Sequence, residues 1–268
     1  MYPFVHLGET TIEMYHIMMV IGFAAAILTI LMMNKRHHHY HLPVRELIFL
    51  IIYVVVGALL GARLVFVLTN IPVMVADPSM IIPLVLGGGL VFYGGVLGGI
   101  GFGLYYVLHY KLNPVKYLNL LIISLPLGHA FGRVGCFCAG CCHGKPTDSI
   151  FGMIFPFGES HVYHDVAIHP TQLYEAFFNL LLFIVLTYFF FRQKQGHRPY
   201  LFVSLYLVLY GIFRFMNEFL RGDDIRGVYL LSTSQWISIV LIITGVYLLI
   251  RKTFPDKIHL GHHPNAHA

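Results

Sequence analysis

The chain has 268 residues, 57% of them hydrophobic and only 11% charged, with a formal net charge of +5 and a mean hydropathy of +0.74. Such a composition cannot cover a water-facing surface, so a water-soluble domain is excluded. The positive balance is sparse and, as shown below, mostly explained by membrane topology, which argues against a nucleic-acid partner.

Apolar runs of about 20 residues can cross roughly 30 Å of hydrocarbon as helices. In chain order they are Ile12–Met33, Leu47–Leu68, Leu90–Leu108, Val115–Leu127 continuing toward Gly135, Gln172–Phe191, Leu201–Leu220 and Ser234–Ile250. The first is too long for a signal-peptide core, with no basic region before it and no small-residue cleavage site behind, so it is expected to remain as a spanning helix. Pro126 and nearby glycines interrupt the fourth. The expected fold is an all-α integral membrane protein with seven transmembrane helices, forming one polytopic domain over residues 1–268.

Lys and Arg give the orientation, because short loops rich in them stay cytoplasmic. Alternate loops and the tail hold Lys35, Arg36, Arg45, Lys111, Lys116, Arg192, Lys194, Arg198, Arg251, Lys252 and Lys257, whereas the opposite loops hold only Lys145, Arg221 and Arg226. The N-terminus is therefore expected outside and the C-terminus in the cytoplasm, which agrees with an odd number of crossings. A basic inner face also suits anionic lipid head groups. The longest stretch between runs, about 137–169, lies on the outer side in this reading and is expected to fold over the mouth of the bundle.

Two histidine-rich patches, His37, His38, His39 and His41, and His259, His262, His263 and His267, read as a solvated loop and tail, with metal binding as the alternative. Between Gly87 and Gly103, glycines at four-residue spacing, including Gly94 and Gly98, and Gly95 and Gly99, let helix backbones approach closely. They could also leave room for a lipid head group beside Tyr93.

Ionisable groups at membrane depth are costly and face a partner or a cavity, so they are the functional candidates. Tyr210, Arg214, Glu218 and Arg221 fall within an arc of about 80° on one helix, a stripe about 16 Å long. Arg214 and Glu218 are spaced to pair, and the surplus positive charge suits an anionic ligand. The segment from His169 to Glu175 opens the fifth run. Pro170 suits the first helical position, and Gln172, Tyr174 and Glu175 lie near the outer interface. The segment Gly128–Lys145 holds Arg133, His129, His143 and every cysteine of the chain, Cys136, Cys138, Cys141 and Cys142. Structural thiols or a disulfide, a reactive thiol and a metal site all remain open, although adjacent Cys141 and Cys142 seldom ligate one ion together.

Taken together, Gly132-Arg133-Val134-Gly135 followed by Phe137, the His169–Glu175 segment, and Tyr210, Arg214, Glu218 and Arg221 in that order resemble the prolipoprotein diacylglyceryl transferases. Gly61-Ala62-Arg63 and Phe92-Tyr93-Gly94-Gly95 also fit that family. The resemblance implies seven transmembrane helices and transfer of a diacylglyceryl group from phosphatidylglycerol to a lipoprotein-precursor cysteine at the outer leaflet of the bacterial cytoplasmic membrane. It implies no metal or other cofactor. Its partners would be phosphatidylglycerol, membrane lipids and the precursor's signal region.

Carried over residue by residue, Arg133 and Arg214 would stabilise the departing phosphate, and Glu218, Tyr210 or Glu175 would take or direct the thiol proton. Arg63, Tyr93, Gly94, Gly95, His169, Gln172, Tyr174, Glu175 and Arg221 would bind substrate. The chain departs from the family's pattern in two places. Cys136, Ala139 and Cys141 stand where the signature has Asn, Asn and Glu, and Tyr93 stands where it has His. A related transferase with another acceptor, acting through a thiol of the cysteine cluster, and a non-catalytic lipid-binding or transport protein are the competing readings.

Overall fold

The structure is a computed structural model that describes residues 3–7, 10–37, 40–155, 165–193, 199–222 and 227–250. The histidine-rich tail, His38, His39 and the middle of the stretch between the fourth and fifth runs, residues 156–164, lie outside the described residues. So do six of the topogenic Lys and Arg residues: Lys194, Arg198, Arg226, Arg251, Lys252 and Lys257.

The long elements are α1 (Met14–Arg36), α2 (Val44–Thr69), α5 (Phe92–His109), α6 (Pro114–Ala139), α7 (Thr171–Arg192), α8 (Leu201–Asn217) and α9 (Thr233–Ile250). Short helices α3 (Ile71–Ala76) and α4 (Ile81–Gly87) lie between α2 and α5. Among the described residues, six helices are long and apolar enough to cross a membrane: α1, α2, α6, α7, α9, and α8 extended by a 3-10 turn to Leu220. A seventh crossing arises if Pro78–Gly87 and Phe92–His109, bent by 59° at a short break, form one span. Gly88 and Gly89 sit at that break. The surface matches a lipid environment, with Leu28, Leu60, Leu64, Phe92, Leu97, Phe177 and Ile243 among many exposed large apolar side chains. The chain is therefore a multi-pass membrane protein.

Pro126 does not break α6, which runs through it to Ala139. Proline removes one helical donor, and membrane helices tolerate this where side chains re-satisfy nearby backbone. The carbonyl left without its donor is that of Ile122, and the Ser124 hydroxyl donates to its neighbour, Leu121 O, at 2.9 Å. Two short hairpins were not expected from the apolar pattern. Strands β1 (Phe4–Leu7) and β2 (Thr10–Glu13) pair antiparallel before α1, and β3 (Gly227–Val228) and β4 (Leu231–Ser232) pair before α9.

The described residues divide into two compact units, one within Met1–Tyr40 and Leu118–Lys257, the other within His41–Tyr117. In the second unit, Gly57 and Gly61 of α2 meet Gly94 and Gly98 of α5 backbone to backbone. A Cβ on Gly57 would lie 2.5 Å from Gly98 O, and a Cβ on Gly98 would overlap the Gly57 carbonyl. Small residues at four-residue spacing on both helices permit this approach. The Arg63 guanidinium donates to the carbonyls of Val85, Gly88 and Gly89, where α4 ends. It thus satisfies carbonyls that the helix end and the break leave without amide partners.

In the first unit the core contains Leu120 and Ile123 of α6, Leu182, Leu186 and Phe190 of α7, and Phe202 of α8. Gly22 of α1 packs on Gly128 and Phe131 of α6, and Phe178 of α7 stacks on Phe213 of α8 at 4.1 Å. His37, expected in a solvated patch, is 8% exposed. Its Nε2 is 3.1 Å from Phe190 O, and its ring packs 4.5 Å from the Phe190 ring. His41 of the same patch is exposed.

Candidate functional site

The N-terminal half of helix α7 is polar on its inner face. Thr171, Gln172, Glu175 and Asn179 are buried on it, while Phe177, Leu180 and Leu181 are exposed. This inverts the pattern of a soluble helix, because lipid takes apolar side chains and the polar ones must find partners inside the bundle. Glu175, 1% exposed, is the focus. Arg133 Nε of α6 lies 3.1 Å from Glu175 Oε2, His129 Nε2 lies 3.5 Å from Oε1, and the Tyr210 hydroxyl of α8 donates to Oε1 at 3.0 Å. Arg133 Nε also approaches His129 Nε2 at 3.3 Å. His129 and Arg133 are four residues apart, so one face of α6 presents both to the same carboxylate.

The second charged group stands at the end of α8. Arg214 Nη2 pairs with Glu218 Oε2 at 2.6 Å and donates to Ser234 Oγ of α9 at 2.9 Å. Arg214 Nη1 is buried with no hydrogen-bond partner among the described residues. At Glu218 the helix tightens into a 3-10 turn, and Arg221 follows in extended backbone. The stripe expected on one continuous helix face therefore bends at its C-terminal end, with Arg221 Nε 3.9 Å from Glu218 Oε2. Glu218 and Arg221 line an open cleft with Lys145, Phe219, Leu230, Ser232 and Gln235. Arg133, Arg214 and Arg221 against Glu175 and Glu218 leave one positive charge, and Lys145 adds another.

The cysteine segment closes α6. Gly140 has φ 72°, its N–H donates to Phe137 O at 3.2 Å, and Cys141 N–H donates to Cys136 O at 3.2 Å. These are the paired bonds of a Schellman cap with glycine in its left-handed position, a motif that brings the residue after the glycine over the residue five before it. Here those residues are Cys141 and Cys136. Cys142 is also left-handed, at φ 62°, and the sulfurs of Cys136, Cys141 and Cys142 lie within 4.8 Å of one another. Adjacent cysteines reach one point because of that backbone conformation, which spacing alone does not reveal. Cys138 stays outside the group, and all four thiols are free. Hydrogen bonds from Cys136 and Cys141, with the Arg221 guanidinium nearby, hold the Cys142 thiol well below its ordinary pKa. The same hydrogen bonding to Cys136 and Cys142 pushes Cys141 up.

The first turn of α7 anchors this segment. Thr171 Oγ1 donates to Cys142 O at 2.9 Å, and Gln172 Nε2 donates to Cys141 O at 2.6 Å. His143 and Lys145 are held from both sides. Lys145 N–H donates to Leu220 O at 2.8 Å, Gly222 N–H donates to His143 O at 3.1 Å, and His169 N–H donates to Lys145 O at 3.0 Å. The cysteines are thereby fixed beside Arg221. His169 Nδ1 lies 3.2 Å from the Tyr174 hydroxyl.

The structure thus brings Arg133, Glu175 and Tyr210 into one group, and Arg214, Glu218 and Arg221 into another. Gln172 pins the cysteine turn, and His169 and Tyr174 pair at the start of α7. Arg63, Tyr93, Gly94 and Gly95 belong to the other unit, where Gly94 is buried against α2 and Tyr93 is 42% exposed. His129, Ser234 and Lys145 were not singled out as site residues. The four-residue spacing of His129 and Arg133 was a readable signal, whereas the contribution of Ser234 depends on packing between α8 and α9.

Residues 3–251 match the family described as prolipoprotein diacylglyceryl transferase. The chain belongs to that family. A Clostridium tetani protein named phosphatidylglycerol–prolipoprotein diacylglyceryl transferase is 36% identical over 197 residues, covering 72% of this chain and 76% of the relative. A Clostridium perfringens protein named phosphatidylglycerol–prolipoprotein diacylglyceryl transferase 2 is 37% identical over 198 residues, 74% of this chain and 75% of its own length. A Rickettsia conorii protein with the first name is 34% identical over 203 residues, 74% and 76% of the two chains. Membership in the prolipoprotein diacylglyceryl transferase family makes this a transferase class of membrane protein. The motifs that carried the resemblance lie within the matched residues.

Proposed function

We propose that this chain transfers the diacylglyceryl group of phosphatidylglycerol to the cysteine thiol of a lipoprotein precursor, at the outer leaflet of the bacterial cytoplasmic membrane. A carbon–sulfur bond forms at the glycerol carbon of the lipid, and its carbon–oxygen bond to phosphate breaks. Glycerol phosphate leaves with the bonding electrons, and the thiol gives up its proton to a base.

The observation that carries this reading is the buried guanidinium of Arg214, whose Nη1 has no partner among the described residues and which pairs with Glu218, a residue that lines a cleft together with Lys145 and Arg221. Negative charge grows on the phosphate as the bond breaks, so a donor fixed there stabilises the transition state more than the bound lipid. The two carboxylates divide the remaining work. Glu175 is enclosed by Arg133, His129 and Tyr210 and serves to hold Arg133 in place. Glu218 lines the cleft and is the group assigned to accept the proton. The Lys and Arg distribution supports an outer site with the N-terminus outside. The precursor's signal region is the protein partner in this reading.

Purified protein, labelled phosphatidylglycerol and a precursor peptide with and without its acceptor cysteine test the proposal. Transfer is expected only to the cysteine-containing peptide. Arg214→Ala should lower the rate about 10²–10³-fold, the usual cost of removing one donor aimed at developing negative charge. Unchanged turnover in Arg214→Ala would overturn the assignment, and tight lipid binding with no transfer would favour a binding or transport role.

A further inference from the structure

We propose that Cys136, Cys141 and Cys142 form a three-thiolate site for a soft, thiophilic d10 cation such as Zn2+ or Cu+. Three observations support it. The sulfurs converge, all within 4.8 Å of one another; a tetrahedral ion about 2.3 Å from each sulfur needs them about 3.8 Å apart, a short adjustment for free side chains. The ligands are also held in advance. The Schellman bonds bring Cys141 over Cys136, and left-handed backbone at Cys142 turns the adjacent residue to the same point. L-residues rarely adopt that conformation, and one persists in it where its surroundings impose it. Those surroundings are the buried Thr171 and Gln172, which bind the Cys142 and Cys141 carbonyls.

The third observation is electrostatic. Three thiolates around a monovalent or divalent ion leave a net negative charge, and the Arg221 guanidinium stands next to Cys142 to offset it. Carboxylates and imidazoles are absent from this group of convergent ligand atoms, so its chemistry selects soft ions over Mg2+ or Ca2+. On binding, each ligating thiol releases its proton to solvent while the sulfur–metal bond forms. Three protein ligands leave the fourth position of a tetrahedral ion open to an exchangeable ligand.

The test uses purified, reduced, full-length protein in detergent, titrated with Cd2+. Sulfur-to-metal charge transfer reports thiolate ligation and does not arise from histidine, so the histidine-rich segments do not interfere. One equivalent per chain should complete the band. Cys138→Ser should retain it, and the combined variant C136S/C141S/C142S should lose it. The Zn2+-loaded wild-type protein is then measured by X-ray absorption, which needs no variant to fold. A shell of three sulfurs at about 2.3 Å is expected. A shell of nitrogen and oxygen alone, no charge-transfer band at one equivalent, or an undiminished band in the triple variant would each overturn the site. None of these readings depends on transfer activity.

Discussion

Glu175 shows how one buried residue organises its neighbours. Its carboxylate is almost fully enclosed and meets an arginine, a histidine and a tyrosine from two other helices. Removing one member of a buried ion pair leaves the other charge uncompensated, at a cost of about 3–5 kcal/mol, whereas removing both together costs much less. Glu175→Gln is therefore expected to destabilise the protein by that order. Adding Arg133→Met should recover a substantial part of the loss, because no isolated guanidinium then remains buried. Unfolding free energies of the two single variants and the double variant in detergent measure this. Additive effects would show that Arg133 and Glu175 act independently. Arg214 and Glu218 present the same physics within one helix, and their pairing at 2.6 Å was readable from a four-residue spacing. Glu175 and Arg133 are separated by 41 residues and a helix reversal, so sequence identified each as a buried charge without revealing that they are partners.

At the scale of elements, close backbone contact between α2 and α5 makes a contrast that substitution can read. An added methyl at Gly98 would overlap the Gly57 carbonyl, whereas one at Gly101 meets no atom within 4 Å. Gly98→Ala is expected to destabilise by about 1–3 kcal/mol through overpacking, and Gly101→Ala to be neutral or stabilising by up to about 1 kcal/mol, as glycine is a poorer helix former. Thermal unfolding of the two variants in detergent decides between them, and equal effects would refute backbone contact at this crossing. Four-residue glycine spacing made close packing legible on α5, and the matching Gly57 and Gly61 on α2 became apparent only once the helices were paired. Apolar length located the spans to within a few residues: Leu47–Leu68 became Val44–Thr69, and Gln172–Phe191 became Thr171–Arg192. It did not reveal the bend before α5 or the hairpins β1–β2 and β3–β4. Those features depend on local hydrogen bonding and on Gly88 and Gly89, which hydropathy averages over. The cysteine turn was hidden for a related reason: sequence displays the thiols, but left-handed backbone at Gly140 and Cys142 determines which of them meet.

For the whole molecule, orientation follows from an argument that one pair of positions can test. Asn113 precedes α6 and Ile150 follows it; both are exposed, Ile150 by 92%. Helix α6 has 26 residues, about 39 Å at 1.5 Å per residue, enough to cross the hydrocarbon with some tilt. The two positions must then lie on opposite sides whichever way the protein is inserted. Lys111 and Lys116 flank Asn113, and the preference of such loops for the cytoplasm predicts Asn113 inside and Ile150 outside. In intact cells, Ile150→Cys is expected to add labelling by a membrane-impermeant maleimide above the background of the native cysteines. Asn113→Cys should add labelling only after the membrane is opened. The reverse pattern would place the N-terminus inside and move the cleft at Glu218 and Arg221 to the cytoplasmic face, where a secreted precursor's cysteine would not be presented. Labelling of both from one side would mean that α6 does not cross, despite its length. The expected pattern instead puts Ile150, the Cys136–Cys142 turn and the Arg221 cleft on the side where an exported lipoprotein precursor meets the outer leaflet.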